Sequence, residues 1–260
     1  MTALAARRRH PLAAVAIVIL GLLVTGLAYA ALTPGRAQAT TASADDIAAG
    51  KKLFLANCAT CHGLNAEGRD KFPSLVGVGA AAVDFQVGTG RMPLQATGPQ
   101  APKSNVKFSP EQIKQLAAYV ASLGPGPSVP SEADVDAAEG NVSNGSLIFR
   151  TNCAMCHNFA GKGGALTRGK YAPNLEGVTP THIYEAMVTG PQSMPVFNDS
   201  TITPQEKRDI IAYLQAVESE TPPGGFSLGS IGPVSEGLVA WVVGLAMLVG
   251  CAVWLGAKSS

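Results

Sequence analysis

Two copies of one short motif constrain this chain more than any other feature. Residues 57–62 read Asn-Cys-Ala-Thr-Cys-His, and residues 152–157 read Asn-Cys-Ala-Met-Cys-His. A Cys-x-x-Cys-His string is typical of covalent c-type haem attachment, because the thiols add to the porphyrin vinyl groups and the histidine then ligates the iron. The sequence therefore predicts two covalently bound haem c groups. The predicted attachment and proximal residues are Cys58, Cys61, His62, Cys153, Cys156 and His157.

Other uses of a Cys-x-x-Cys pair explain the pattern less well. A thioredoxin-like redox pair belongs to a βαβ setting, which the sequence does not indicate. A four-cysteine zinc site usually brings its two pairs within a few tens of residues, whereas 91 residues separate Cys61 from Cys153. Neither alternative explains why a histidine follows both pairs, so haem attachment is the better interpretation.

The surroundings of the motif repeat as well. Residues 50–62 match residues 145–157 at a constant offset of 95, with the same glycine, phenylalanine and asparagine ahead of each cysteine pair. A Pro-x-Leu-x-Gly-Val stretch follows at 73–78 and again at 173–178. Self-similarity of this kind predicts two copies of one structural unit. We therefore expect a mainly α-helical protein with two tandem domains.

Apolar runs near both ends predict membrane-crossing helices. Residues 12–32 and 237–257 each contain 21 residues without a charge, which is long enough to cross the hydrocarbon core. Arginines at 7–9 favour a cytoplasmic N-terminus. A cleaved secretory signal is the alternative for the first run, because small-residue sites occur at 28–30 and 37–39. With both anchors retained, both termini are cytoplasmic and both haem domains lie outside.

These observations predict the complete domain order. An anchor (1–32) and a linker (33–46) precede the first haem domain (47–124), and a Pro-rich acidic linker (125–138) leads to the second haem domain (139–220), a Gly/Pro linker (221–236) and the last span (237–257). We expect Asp45 and Asp46 to cap the helix that leads into the first motif, and Ser109 to begin the last helix of that domain.

Overall composition limits the possible partners. Hydrophobic residues make up 47% of the chain and charged residues 14%, which suggests that part of it lies in a membrane. The formal net charge is only +1, which argues against a nucleic-acid partner.

The distal haem ligand decides whether such a centre passes electrons or performs chemistry, and methionine closes it to substrates. Met92 and Met194 are the candidates, because each follows a Thr-Gly pair and precedes a proline at a similar distance beyond its motif. Met187 is predicted to belong to the core instead. His182 is an alternative ligand to Met194 and is otherwise expected to be a surface residue at a helix start.

The proximal histidines need a second partner. A proximal imidazole usually donates its other ring N–H to a carbonyl, which fixes the tautomer. By their place in the loop after each motif, Pro73 and Pro173 are predicted to supply that carbonyl.

Each half of the chain resembles a class I cytochrome c domain. With residues 158–166 and 190–195 of the second half, the tandem between two anchors is similar to the dihaem cytochrome cc subunit of actinobacterial cytochrome bcc complexes. The resemblance implies a cell-membrane subunit of a menaquinol:cytochrome c reductase, a translocase, with no independent catalytic activity of its own. It implies electron transfer from a Rieske iron-sulfur subunit through both haems to the copper site of a terminal oxidase. It further implies a cytochrome b partner and a dimeric supercomplex.

Two other functions are compatible with the residues. A membrane-anchored dihaem carrier could serve another dehydrogenase or oxidase. A dihaem peroxidase is the alternative that would make the chain an enzyme, and it requires one open or histidine-ligated iron.

Overall fold

This computed structural model describes residues 11–32, 42–219, 228 and 233–258. The arginines at 7–9, the possible cleavage site at 37–39 and most of the linkers predicted at 33–46 and 221–236 lie outside the described residues.

The N-terminal apolar run is a single helix, α1 (Pro11–Leu32), which forms a unit of its own. Within it, Leu12–Tyr29 is long and apolar enough to cross a membrane, and none of that window is buried. Because the window is not buried, α1 is not the core helix of a soluble domain. A secretory signal has the same composition, so cleavage remains the alternative.

The first haem domain is built from helices, as the sequence predicts. Its helices are α2 (Ala44–Asn57), α3 (Ala59–His62), α4 (Gly79–Gly88) and α5 (Pro110–Ala121). Between α5 and the second domain the chain forms the short helix α6 (Glu132–Val135) and a 3-10 turn (Ala137–Glu139).

The second domain repeats this helical order. Its helices are α7 (Val142–Asn152), α8 (Ala154–His157), α9 (Pro180–Thr189) and α10 (Pro204–Ser219). It adds a 3-10 turn (Thr167–Gly169) inside a small antiparallel hairpin of β1 (Gly164–Ala165) and β2 (Tyr171–Ala172). The C-terminal apolar run is α11 (Pro233–Lys258), in which Ser235–Ala257 could cross a membrane by length and composition and is not buried.

The helix starts follow from local capping. Ser109 caps α5 with a complete capping box to Gln112, as predicted. The prediction for α2 was wrong by two residues: Ser43 is the N-cap and accepts a hydrogen bond from the Asp46 N–H at 3.0 Å. Asp45 and Asp46 lie in the first turn instead, where their negative charges complement the helix dipole.

The linker predicted at 125–138 is more ordered than its composition suggests. The Pro127 carbonyl accepts a hydrogen bond from the Ala81 N–H of α4 at 3.1 Å. Further along, Arg208 of α10 donates through Nη1 to the Ala133 carbonyl of α6 at 2.9 Å. The segment is therefore packed on both domains, because its free backbone carbonyls find donors there.

Each domain depends on one close helix crossing. Where α2 crosses α5, a Cβ atom at Gly50 would overlap the Gln115 carbonyl oxygen. Where α7 crosses α10, a Cβ atom at Gly145 would overlap the Asp209 carbonyl oxygen. Only glycine allows the backbones to come this close, which explains why both repeats carry it at the same step.

Aromatic pairs fill the space beside these crossings. Phe54 is completely buried and its ring lies 5.2 Å from that of Tyr119. Phe149 is 1% exposed and its ring lies 5.5 Å from that of Tyr213. Met187 is 3% exposed in the second core, so its predicted core position is confirmed.

We expect Gly145→Ala to lower the free energy of unfolding of the second domain by about 3 kcal/mol, because the added methyl group forces α7 and α10 apart. For a domain of this size, that loss lowers the thermal midpoint by roughly 10 °C or more. Thermal unfolding of the haem-loaded chain measures the effect. Leu147→Ala is the control on the same helix, since Leu147 is 62% exposed. Equal midpoints for the two variants would contradict the crossing argument.

Candidate functional site

The two motifs begin where the first helix of each domain ends. The Cys58 N–H donates to the Phe54 carbonyl at 2.8 Å, and the His62 N–H donates to the Cys58 carbonyl at 2.9 Å. In the second domain the Cys153 N–H donates to the Phe149 carbonyl at 2.8 Å. The buried phenylalanines therefore anchor the helix ends from which the cysteines and histidines project.

Both proximal histidines contact the prolines that the sequence singled out. His62 Nδ1 lies 2.8 Å from the Pro73 carbonyl oxygen, and His157 Nδ1 lies 3.0 Å from that of Pro173. Because a carbonyl can only accept, Nδ1 is the protonated ring nitrogen and Nε2 keeps the lone pair that binds a metal. Burial lowers the pKa of His157, while the Pro173 carbonyl opposes that shift, so the ring is neutral at neutral pH.

Equivalent backbone bonds hold the two proline loops. The Gly68 N–H donates to the His62 carbonyl at 2.7 Å, and the Gly163 N–H donates to the His157 carbonyl at 2.8 Å. Both glycines have positive φ, of 85° and 80°. A Cβ atom added to either would lie within 2.6 Å of backbone atoms in the proline loop. The close return of each loop therefore requires glycine at this step.

The motif cysteines are not used in disulfides. All five cysteines of the chain lie in the described residues, and each is free. Burial, reinforced by the second cysteine of the pair, raises the pKa of Cys58 and of Cys153 to about 11. These thiols are therefore neutral at neutral pH.

The predicted ligands of the second domain meet in one cavity of about 420 Å³. Its lining includes Cys153, Cys156, His157, Pro173 and Met194. Two thiols, an imidazole and a thioether thus face one mostly apolar space, a donor set that fits a covalently held haem. Iron ligation by His157 and Met194 is a prediction that this convergence supports.

The candidate distal methionine of each domain packs on the core of that domain. Met92 packs on the domain core, and its N–H donates to the Gln86 carbonyl at 2.9 Å. Met194 packs on the second core, and its N–H donates to the Pro191 carbonyl at 3.0 Å. Met92 and His62 remain the predicted iron ligands of the first domain.

The Thr-Gly pairs end the helices that precede the methionines. Thr89 is the C-cap of α4 and Gly90 has a φ of 70°. Gly190 is the left-handed C-cap of α9, with a φ of 58°. Each glycine turns the chain out of its helix, so that the following methionine lies in a loop.

Residues of the first domain complete the second-domain cavity, which sequence reasoning did not anticipate. Phe85, Arg91, Lys103 and Val106 all line it. The Arg91 guanidinium lies 4.8 Å from the centre of the Phe85 ring. Burial lowers the pKa of Arg91. Arg91 and Lys103 could pair with the propionates of a haem bound there. In the sequence, Arg91 is marked only by its place next to Met92. That place does not predict that its side chain lines the cavity of the second domain.

The loop after Met92 also binds the second domain through hydrogen bonds. The Gln100 amide donates to the Tyr171 carbonyl at 2.9 Å and accepts from the Tyr171 N–H at 2.9 Å. The Ala101 N–H donates to Gln192 Oε1 at 3.3 Å. These contacts attach the first domain to both loops that flank the second cavity.

His182 lies in the first turn of α9, so its predicted place at a helix start is confirmed, but it packs at the domain boundary and its expected place on the surface was wrong. Its ring packs edge-on against Phe85 at 6.0 Å, and its Nε2 lies 3.7 Å from Asp84 Oδ2. Both partners belong to α4 of the first domain. His182 and Met194 both line the second cavity.

Family models match the two halves of the chain separately. The cytochrome c model matches residues 47–124. The model for subunit III of the cbb3-type cytochrome c oxidase matches residues 140–214.

Known proteins match over nearly the whole length. The chain is 44% identical to the cytochrome bc1 complex cytochrome c subunit of Corynebacterium efficiens, covering 97% of this chain and 90% of the relative. It is 43% identical to the protein of the same name from Mycobacterium tuberculosis, covering 97% and 93%. A shorter match, 34% identical over 50% of the chain and 44% of the relative, is the cbb3-type cytochrome c oxidase subunit FixP of Sinorhizobium medicae.

We expect Met194→Leu to remove about half of the thioether-to-iron absorption band, because one of two sulfur ligands is lost. Met92→Leu should remove the other half, and the double variant should lack the band. Optical spectra of the oxidised protein measure this. Met187→Leu is the control, since Met187 is buried in the core of the same domain. An undiminished band in Met194→Leu would disprove the ligand prediction.

Proposed function

The chain belongs to the family of cytochrome bc1 complex cytochrome c subunits, and from this premise we propose that it relays electrons within a respiratory quinol-oxidising complex. It has two cytochrome c domains, each of which binds one covalent haem c. Bound haem c supplies a reversible one-electron couple of its iron. The protein supplies the attachment thiols, the ligands and the geometry between the domains.

The proposed route runs in the order of the chain. The first domain accepts electrons from a Rieske iron-sulfur subunit, and the second domain delivers them to the copper site of a terminal oxidase. The complex as a whole is then a menaquinol:cytochrome c reductase and a translocase, and this chain has no catalytic activity of its own.

The shared cavity is the observation that carries this proposal. Arg91 adjoins Met92, the predicted distal ligand of the first domain, and also lines the cavity of the second domain. The methionine loop of one domain therefore lies beside the ligand set of the next. This proximity supports direct transfer between the domains without a diffusing intermediary.

The charge composition of the two domains supports the same conclusion. Residues 47–124 contain eight basic and four acidic side chains, and residues 139–220 contain six basic and eight acidic. A freely diffusing carrier commonly uses a strongly one-signed face to steer toward its partner. Neither domain has the one-sided composition that this would require, which favours a relay fixed within an assembly.

Two exposed apolar helices, α1 and α11, support membrane anchoring within the complex. We propose that both span the cell membrane, with both termini cytoplasmic and both haem domains on the outer side. Cytochrome b and Rieske subunits are the proposed partners within the complex. A terminal oxidase joined to it in a dimeric supercomplex is the proposed electron acceptor.

A second candidate function is electron delivery as part of an oxidase or another carrier system. The partial similarity to a cbb3-type oxidase subunit favours it, although that similarity covers only 50% of the chain. The two functions differ in the subunits that accompany the chain, so purification distinguishes them.

We expect quinol oxidation by the intact complex to proceed to oxygen without added soluble cytochrome c. Oxygen uptake after purification in mild detergent measures this, and the same preparation should contain a cytochrome b, a Rieske protein and oxidase subunits. A strict requirement for soluble cytochrome c would contradict the relay. Oxidase subunits without cytochrome b would favour the second candidate.

We expect Gln100→Ala to slow electron transfer from the first domain to the second, because both hydrogen bonds to the Tyr171 backbone are lost. Those bonds together contribute about 1–2 kcal/mol to the domain contact. Time-resolved absorption after rapid reduction measures the transfer rate. Gln115→Ala is the matched control, since the Gln115 amide donates to Glu111 within the first domain. Equal rates in both variants would show that the Gln100 contacts do not set the relay geometry.

A further inference from the structure

A compact group of metal-ligating side chains lies between the two domains, outside the predicted haem ligands. It consists of Asp84 on α4 and His182 and Glu185 on α9, and one ligand atom from each lies within 4.8 Å of the others. His182 and Glu185 are three residues apart on a helix, so they share one face, and Asp84 approaches from the other domain.

Glu185 is the unusual member of the group. Its side chain is completely buried, and within the described part of the chain neither carboxylate oxygen accepts a hydrogen bond from a donor group. A buried carboxylate without partners costs several kcal/mol, so it needs a proton or a cation. Burial raises the pKa of Glu185 to about 9, and both the charge of Asp84 and a side-chain hydrogen bond to it add to the shift.

The buried Lys207 does not meet this need. Lys207 is also completely buried, but its Nζ donates to Asp199 at 2.8 Å and to the Ile202 carbonyl at 2.6 Å. His182 is oriented toward Asp84 and the same space. A cation from outside the chain would therefore compensate both carboxylates at once.

From this arrangement we propose that Asp84, His182 and Glu185 form a divalent metal site, with zinc as the preferred ion, that links the two haem domains. Two carboxylates balance the +2 charge of the ion. One imidazole favours zinc over magnesium or calcium, which prefer oxygen ligands alone. A water molecule would supply the fourth ligand.

The separations are compatible with zinc coordination. Tetrahedral ligand atoms about 2.0 Å from zinc lie roughly 3.3 Å from one another. His182 Nε2 and Asp84 Oδ2 are 3.7 Å apart, close to that spacing. The widest separation between ligand atoms in the group is at most 4.8 Å. It would have to shorten by about 1.5 Å on zinc binding, which side-chain rotation can supply.

Such a site would act as a clamp, because its ligands come from both domains. A ligand that binds only the docked arrangement multiplies the equilibrium constant for docking by one plus the ratio of its concentration to its dissociation constant. Zinc should thus tighten the contact of α4 with α9. The proposal depends on these three side chains and does not require the electron route proposed above.

The test is zinc binding by the full-length, haem-loaded protein in detergent, after treatment with a chelator. A Cys251→Ser background removes the one thiol outside the two haem motifs. Calorimetry and elemental analysis should show one zinc ion per chain that is lost from Glu185→Gln and His182→Gln. We expect about 100-fold weaker binding in each, at the upper end of what loss of a supporting partner costs.

Glu111→Gln is the matched control, because it makes the same chemical change at an exposed residue. It should bind zinc like the parent protein. Unchanged haem spectra in all variants would show that they are folded. Hydrogen exchange in α4 and α9 should slow when zinc is added to the parent protein and should not respond in Glu185→Gln.

Two results would overturn the proposal. One is the absence of zinc binding by the parent protein. A protonated-carboxyl infrared band that disappears in Glu185→Gln would then show that the carboxylates share a proton instead. The other is equal zinc affinity in the parent protein, Glu185→Gln and His182→Gln, which would place the bound ion elsewhere.

Discussion

The rest of each domain depends on how closely its first and last helices cross. Glycine at residues 50 and 145 lets backbone approach backbone, and the phenylalanine one turn later packs against a tyrosine of the partner helix. The Cys-x-x-Cys-His motif begins four residues after that phenylalanine and is hydrogen-bonded to its carbonyl. The position of the haem-binding residues is therefore set by a contact between backbones, with little freedom for the side chains to adjust.

The two domains are alike in sequence but differ in surroundings. The cavity of the second domain is completed by Phe85, Arg91 and Lys103 of the first, so one domain forms part of the other's site. Two hydrogen bonds between the Gln100 side-chain amide and the Tyr171 backbone reinforce this contact. The two tandem copies therefore form an asymmetric pair.

Buried charges are concentrated in and beside the second domain. Lys207 has its partners in Asp199 and a backbone carbonyl, and its Nζ lies 5.7 Å from the centre of the Tyr184 ring. Asp209 accepts hydrogen bonds from the Asn141 N–H and the Asn144 and Gln205 amides. Burial opposes the shift, yet these bonds lower the pKa of Asp209. Glu185 lacks such partners, which is why it stands apart as a site.

Much of this structure could be predicted from the sequence, because it depends on local chemistry. The haem motifs, the repeat, the capping box at Ser109 and the apolar ends each depend on residues close together in the chain, with spacings fixed by a helix turn or a bilayer. What the tertiary structure decided involves residues that no spacing rule relates: Arg91 in the neighbouring cavity, Gln100 on Tyr171, and Asp84 facing His182 and Glu185. Their positions depend on how two folded domains pack, because the packing energy is summed over many weak contacts and leaves no periodic trace in the sequence.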